Sequence, residues 1–275
     1  MDVSDISASG ARFGRKADDS DLLDHAVRVG LVSYGVVHLL IAWLALQLAF
    51  GSAAGSASST GALSEVAQKP LGQISLYVVA AGFLALVVWQ LVEAVVGHRG
   101  EDGGRRLAKR VGSAAKAVLY GFLGFSAVKV AIGAGSSSGG TDTLTARLMS
   151  MPGGQVLVAL VGAGMLAVAG FLVWRGLTEG FKKDLERDGH TGTSGKVFVL
   201  FGKVGFVSKG VALMVVGVLF GWAAWSHDPD KSGGLDQALT KVLQQPFGAP
   251  VLGVIAVGIG CFGLFCFAWA RHLDR

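Results

Sequence analysis

Two lysines and a tyrosine occupy one recurring place in this chain. Tyr34, Lys116 and Lys209 each stand six residues after the first member of a basic triplet: Arg28-Val29-Gly30, Arg110-Val111-Gly112 and Lys203-Val204-Gly205. Each triplet opens a long apolar run, so at a rise of ~1.5 Å per helical residue the three side chains fall about 9 Å inside their helices. Ammonium and phenol groups gathered at one depth suit a phosphate, a carboxylate or an anionic lipid headgroup. A lysine at that depth has three open arrangements: it snorkels back to the headgroups, lines a ligand or lipid site, or joins a buried ion pair. One turn further along the same face come His38, Tyr120 and Leu213. His38 lies near the middle of its span, where an ionisable group is a functional candidate by default. The bland alternative is a neutral imidazole hydrogen-bonded to Tyr34, Gln90 or a nearby backbone carbonyl.

A second set recurs near the opposite ends of the partner runs, where Glu93, Arg175 and Trp269 each lie 23 residues past a proline. Glu93 is the candidate ion-pair partner for Lys116 or Lys209, and Trp269 suits an interfacial belt. Three independently solvated end residues are the plain reading. No catalytic residue is assigned: the chain has no Walker loop, nucleophile elbow or paired His/Glu zinc motif. His98, His190, His227 and His272 are scattered at helix ends or loops, so the sequence assigns no metal and no cofactor. Cys261 and Cys266 sit five apart on one helix and point well away from each other, which disfavours a disulfide.

The elements that position these groups follow from composition. Hydrophobic residues make up 52% of the 275 positions and charged residues only 16%, with a mean hydropathy of +0.56. That balance belongs to a membrane protein. Six runs are near the ~20 residues needed to cross hydrocarbon as a helix. They fall at 29–50, 73–96, 111–132, 155–174, 204–225 and 251–270. The runs are continuous rather than alternating, so barrel strands are set aside. The expected fold is therefore all-α and polytopic.

Pairs of runs form a unit written three times. Pro70, Pro152 and Pro246 follow the basic triplets at nearly constant distance, and a glycine stands 12 residues past each proline at Gly82, Gly164 and Gly258. Matched landmarks at a fixed period mark an internal repeat. The repeats are placed at 25–100, 101–185 and 186–275, after a flexible arm over 1–24. Because each unit crosses twice, all three share one orientation, and a pseudo-three-fold bundle is the simplest arrangement. Within each unit a Gly/Ser linker leads to a short amphipathic segment that the proline ends, as at Leu235, Leu239 and Val242. Small residues recur inside the helices and let backbones approach in lipid. Gly30 with Gly35 and Gly205 with Gly210 repeat at one place, with Gly112 and Ala117 between them. Gly217 and Gly221 form a further pair, suited to intramolecular packing or, more sharply, to dimerisation.

Orientation comes from the 24 Lys and Arg residues. Seventeen lie in the N-terminal arm, the two loops between repeats and the C-terminal end, against four in the other three loops. The positive-inside rule then places both termini in the cytoplasm. The net charge of +5 has its source beside the helix ends, where anionic headgroups attract it. These short flanks carry no aromatic or polar readers, so nucleic acid is not an expected partner. The first run is read as a retained helix, since it is too long for a signal core and its counterparts recur in the other repeats.

The triplets and the turns Pro70-Leu71-Gly72, Pro152-Gly153-Gly154 and Pro246-Phe247-Gly248 give the chain its resemblance to a bacterial membrane protein family, domain of unknown function 1206. The resemblance covers residues from about 25 to 272 and implies a multi-pass protein of the plasma membrane. It implies no activity and no site. The expected function is that of a non-enzymatic envelope protein acting through lipid or protein contacts, with a homo-oligomer or a membrane protein as partner. A small transporter or channel with a polar path is the alternative, and a membrane enzyme acting on lipid is a third class.

Overall fold

The computed structural model describes residues 21–51, 57–97, 103–134, 140–185 and 191–273. The N-terminal arm over 1–20 lies outside them, as do His98 and His190. Nine α-helices are present among the described residues, three to a repeat: α1 (Asp21–Ala49), α2 (Ser59–Ala67), α3 (Gly72–Val95), α4 (Gly103–Ala131), α5 (Gly140–Met149), α6 (Gly154–Leu177), α7 (Gly192–Ser226), α8 (Leu235–Leu243) and α9 (Gly248–Arg271). Six of these, α1, α3, α4, α6, α7 and α9, are long and apolar enough to cross a membrane. The fold is all-α and polytopic. The helices α1, α4 and α7 begin well before the apolar runs within them. Polar, charged residues such as Arg105, Arg106 and Lys109 continue the helix past the hydrocarbon, where water rather than lipid limits it.

The short helix of each repeat ends in one device. Leu71, Gly153 and Phe247, each one residue past the proline, adopt left-handed backbone with φ of 63°, 75° and 60°. The next residue is Gly72, Gly154 or Gly248, and a Cβ there would collide with the last carbonyls of the preceding short helix. The chain thus reverses within three residues, and only glycine fits the third.

The six long helices follow one another in chain order as a ring left open at one join. The second long helix of one repeat packs on the first of the next: α3 on α4, α6 on α7, and α9 back on α1. All three repeats therefore contact one another, as a pseudo-three-fold arrangement requires. Within repeats, α1 packs on α3 and α7 on α9. Small residues make both kinds of contact. A Cβ at Gly30 would lie 2.5 Å from the carbonyl oxygen of Gly82, and one at Gly205 would lie 2.5 Å from Cα of Phe262. Between repeats, Gly35 meets the carbonyl of Gly263 at 2.8 Å, and Gly210 meets that of Ala169 at 2.9 Å, by the same measure. Gly217 packs on α6, where a built Cβ would lie 3.0 Å from Leu166 and 3.2 Å from the Gly162 carbonyl oxygen, whereas Gly221 is exposed with nothing within 4 Å of a built Cβ.

The second repeat departs from this plan. Among the described residues, α4 and α6 make no contact comparable to α1 with α3 or α7 with α9. Gly112 and Gly164, equivalent to Gly30 with Gly82 and to Gly205 with Gly258, have nothing within 4 Å of a built Cβ. Gly112 is accordingly not a packing glycine in this arrangement, because its partner helix stands away from it.

Candidate functional site

The end of the bundle bearing the triplets is stapled together by their basic side chains. Arg110 donates to the carbonyl of Val95 at 2.7 Å, at the C-terminus of α3, and Lys203 lies 3.8 Å from Glu179 just past α6. Cations at helix C-termini meet the negative end of the dipole, which adds to each contact. Just inside this basic end, the ring of helices turns Tyr34 of α1 and Lys209 of α7 toward each other. The Lys209 ammonium donates to the Tyr34 hydroxyl and lies over two rings, 4.6 Å from the Tyr34 centroid and 4.1 Å from that of Phe262. Among the described residues no carboxylate lies within 4 Å of it. The partners of its ammonium are thus a phenol and two ring faces.

The surrounding box is aromatic. Tyr120 of α4 meets the Tyr34 ring edge-on at 5.5 Å between centroids, and Phe83 lies 6.3 Å from both tyrosines. His38 is 7% exposed, and its Nδ1 lies 2.8 Å from the backbone carbonyl of Tyr34. A carbonyl only accepts, so Nδ1 carries the proton. The imidazole also packs on Phe262 at 4.8 Å.

Toward the basic end lies a cluster of phenylalanines. A 3-10 turn, Gly180–Asp184, follows α6 and inserts Phe181, which stacks on Phe206 at 5.3 Å and meets Phe265 edge-on at 5.1 Å. Gly202 makes room for it, since a Cβ there would lie 2.6 Å from the Phe181 ring. Arg175 holds the turn from above: its guanidinium donates to Asp184 and lies 5.2 Å from the Phe206 centroid. Burial pushes the Asp184 carboxyl above the usual carboxylate range even with Arg175 beside it. Glu179 is drawn the other way, chiefly by the hydrogen bond from Lys182.

Lys116 does not join Tyr34 and Lys209. It is exposed on α4 at the gap between α4 and α6, where its charged neighbours are Arg175, Asp184 and Glu93. Tyr120, one turn on, has Cys266 and Arg175 as its electrostatic neighbours and so stands between the two groups. Glu93, Arg175 and Trp269 thus serve different ends. Trp269 is half-buried against Phe265 at 6.0 Å, with its indole N–H buried and unpartnered. Gln90 Oε1 and Arg175 Nε are likewise buried without a hydrogen bond. Residue pattern missed Phe181 and Phe206 altogether. No repeat landmark marks them, although the Gly202 to Phe206 spacing on one helix face is a usable signal.

An all-α bundle of three tandem two-helix units, with a polar cluster near one end, defines a multi-pass helical membrane protein with internal repeats. The model of one family, Domain of Unknown Function (DUF1206), matches three times, at residues 29–97, 111–179 and 204–272, and the chain belongs to that family. It is also similar to "Uncharacterized protein YxxB" of Bacillus subtilis (strain 168), at 28% identity over 243 residues, covering 86% of each chain. No solved structure matches it.

Proposed function

We propose that the protein is a non-enzymatic component of the bacterial plasma membrane that binds an anionic lipid headgroup at its basic end. The observation that carries this reading is Lys209, a cation turned into the bundle with a phenol and two ring faces but no carboxylate beside it. Such a charge is costly in hydrocarbon unless an anion accompanies it, and ring faces and one hydroxyl offset only part of that cost. Lys116 and Arg175 supply further positive charge along the open side of the same end. The loop bias orients this end to the cytoplasm, whose leaflet is rich in anionic lipid.

Transport along the axis is the second reading, favoured by the meeting of Tyr34, Lys209 and His38 inside the bundle. A path from these groups to the basic end would have to pass the packed rings of Phe181, Phe206 and Phe265. Native mass spectrometry of the full chain, purified from membranes holding both phosphatidylglycerol and phosphatidylcholine, tests the first reading. The wild type should retain phosphatidylglycerol selectively, and the Lys116→Leu, Lys209→Leu double variant should lose that selectivity. Equal retention by both proteins removes the reading. Solute flux into proteoliposomes that is lost in Lys209→Leu would favour transport instead.

A further inference from the structure

We propose that the unmade contact between α4 and α6 is a groove that seats one acyl chain of a phospholipid, entered sideways from the bilayer. The inference rests on the headgroup reading above and adds the place and route of the chain. Its first support is a comparison the molecule makes with itself. Leu86 and Phe262 cover Gly30 and Gly205 and are 0% and 2% exposed, whereas their counterpart Val168 is 51% exposed. On the facing helix, Val37 and Ala212 are 1% and 3% exposed, and their counterpart Leu119 is 46% exposed. Two apolar faces that close in the other repeats are parted here at matching heights.

The parting is also confined. Nearer the proline end the same side of α4 is covered, with Leu123, Ser126 and Val130 buried, and α2 packs on this helix. The groove is therefore open over the half of the bundle that ends at Lys116, Arg175 and Lys109, which neighbour one another around Asp184. An apolar slot with a basic mouth matches a phospholipid lying in one leaflet, phosphate at the mouth and chain in the slot. A second copy of the protein fits poorly, since a symmetric contact would bring the two basic mouths together. Gly112 and Gly164 keep the slot wide, because a side chain at either would project into it.

The test uses the full chain in vesicles of equal parts phosphatidylcholine and phosphatidylglycerol, with a phosphatidylglycerol probe bearing a photoreactive group in its acyl chain. Adducts should concentrate at Leu119 and Val168 over Val118 and Val254, which face outward elsewhere. Gly112→Leu with Gly164→Leu, which the open space at both sites accommodates, should lower seam labelling several-fold and leave labelling at Val254 unchanged. Even labelling of all four positions overturns the proposal. So does a disulfide-linked dimer formed through Leu119→Cys in a chain whose Cys261 and Cys266 are Ala, because it puts a second copy in the groove. Seam labelling that survives Lys116→Leu with Lys209→Leu, and is matched by a phosphatidylcholine probe, would support the groove while removing the headgroup reading. Selective phosphatidylglycerol retention without seam enrichment would do the reverse.

Discussion

Lys209 donates a hydrogen bond to Tyr34, a residue 175 positions earlier that holds the same place in another repeat. Two copies of one sequence position thus meet inside the bundle. The third copy, Lys116, turns instead to Arg175 and Asp184 at the parted side of the ring. One position in the repeat therefore does two things, and the difference follows from whether its own repeat is closed.

Replacing Lys209 by Met should stabilise the fold and weaken anion retention together. The thioether chain fills the same space over Tyr34 and Phe262 without a charge to desolvate, and an apolar replacement of this kind gains about 1 kcal/mol or more. Thermal unfolding in detergent should show a higher midpoint, while native mass spectrometry shows less bound phosphatidylglycerol. A lower midpoint would mean that the cation is a net structural asset and not a site held at some cost.

Leu71→Gly should also stabilise, for a different reason. Leu71 holds a left-handed φ of 63° at the start of α3 and is 74% exposed, so its side chain contributes little packing. Left-handed backbone costs an L-residue roughly 1–2 kcal/mol, which glycine avoids. A gain of about 1 kcal/mol is expected from Leu71→Gly and a similar loss from Gly153→Ala at the equivalent turn, both read by thermal unfolding. If the two substitutions shift the midpoint the same way, the turn is not built as described.

Much of this fold was legible in the sequence because lipid leaves few options. Long apolar runs must be helices, and matched prolines and glycines declare the repeat, so six spans in three units follow from spacing. The glycines were legible as packing positions, and Gly30, Gly35, Gly205 and Gly210 do meet a neighbouring helix. What spacing could not show is that repeats alike in sequence pack differently. Gly112 looks like Gly30 until the partner helix is placed, and the partner is set by α7 packing on α6, far along the chain. Phe181 was hidden for a related reason: it lies in a loop outside the spans, where periodicity carries no signal. Lys209 and His38 were visible as candidates, but spacing could not show that both pack on the rings of Tyr34 and Phe262.

Asp184 makes stability depend on pH in a direction opposite to a surface carboxylate. Burial raises its folded-state pKa above the ordinary 3.8 despite Arg175. A raised carboxyl pKa means that the folded state holds the proton more tightly, so stability falls as pH rises from the unfolded value through the folded one. Asp184→Asn removes this titration. The midpoint of the wild type relative to Asp184→Asn should therefore drop over the window just above the ordinary value of 3.8 and then level off. A relative midpoint that climbs over that window would show that Arg175, and not burial, governs the group.

The same substitution at three equivalent glycines should give two answers. At Gly30 an added Cβ would lie 2.5 Å from the Gly82 carbonyl oxygen, and at Gly205 it would lie 2.5 Å from Phe262 Cα. Both obstacles are backbone atoms of a packed helix, so alanine must push the helices apart, at about 1–3 kcal/mol. At Gly112 nothing lies within 4 Å, and alanine there gains helix propensity of up to about 1 kcal/mol. Thermal unfolding should thus rank Gly112→Ala at or above the wild type, with Gly30→Ala and Gly205→Ala well below it. Equal destabilisation at all three would mean that α4 and α6 close on each other in the membrane as the other pairs do, leaving no groove for a lipid chain.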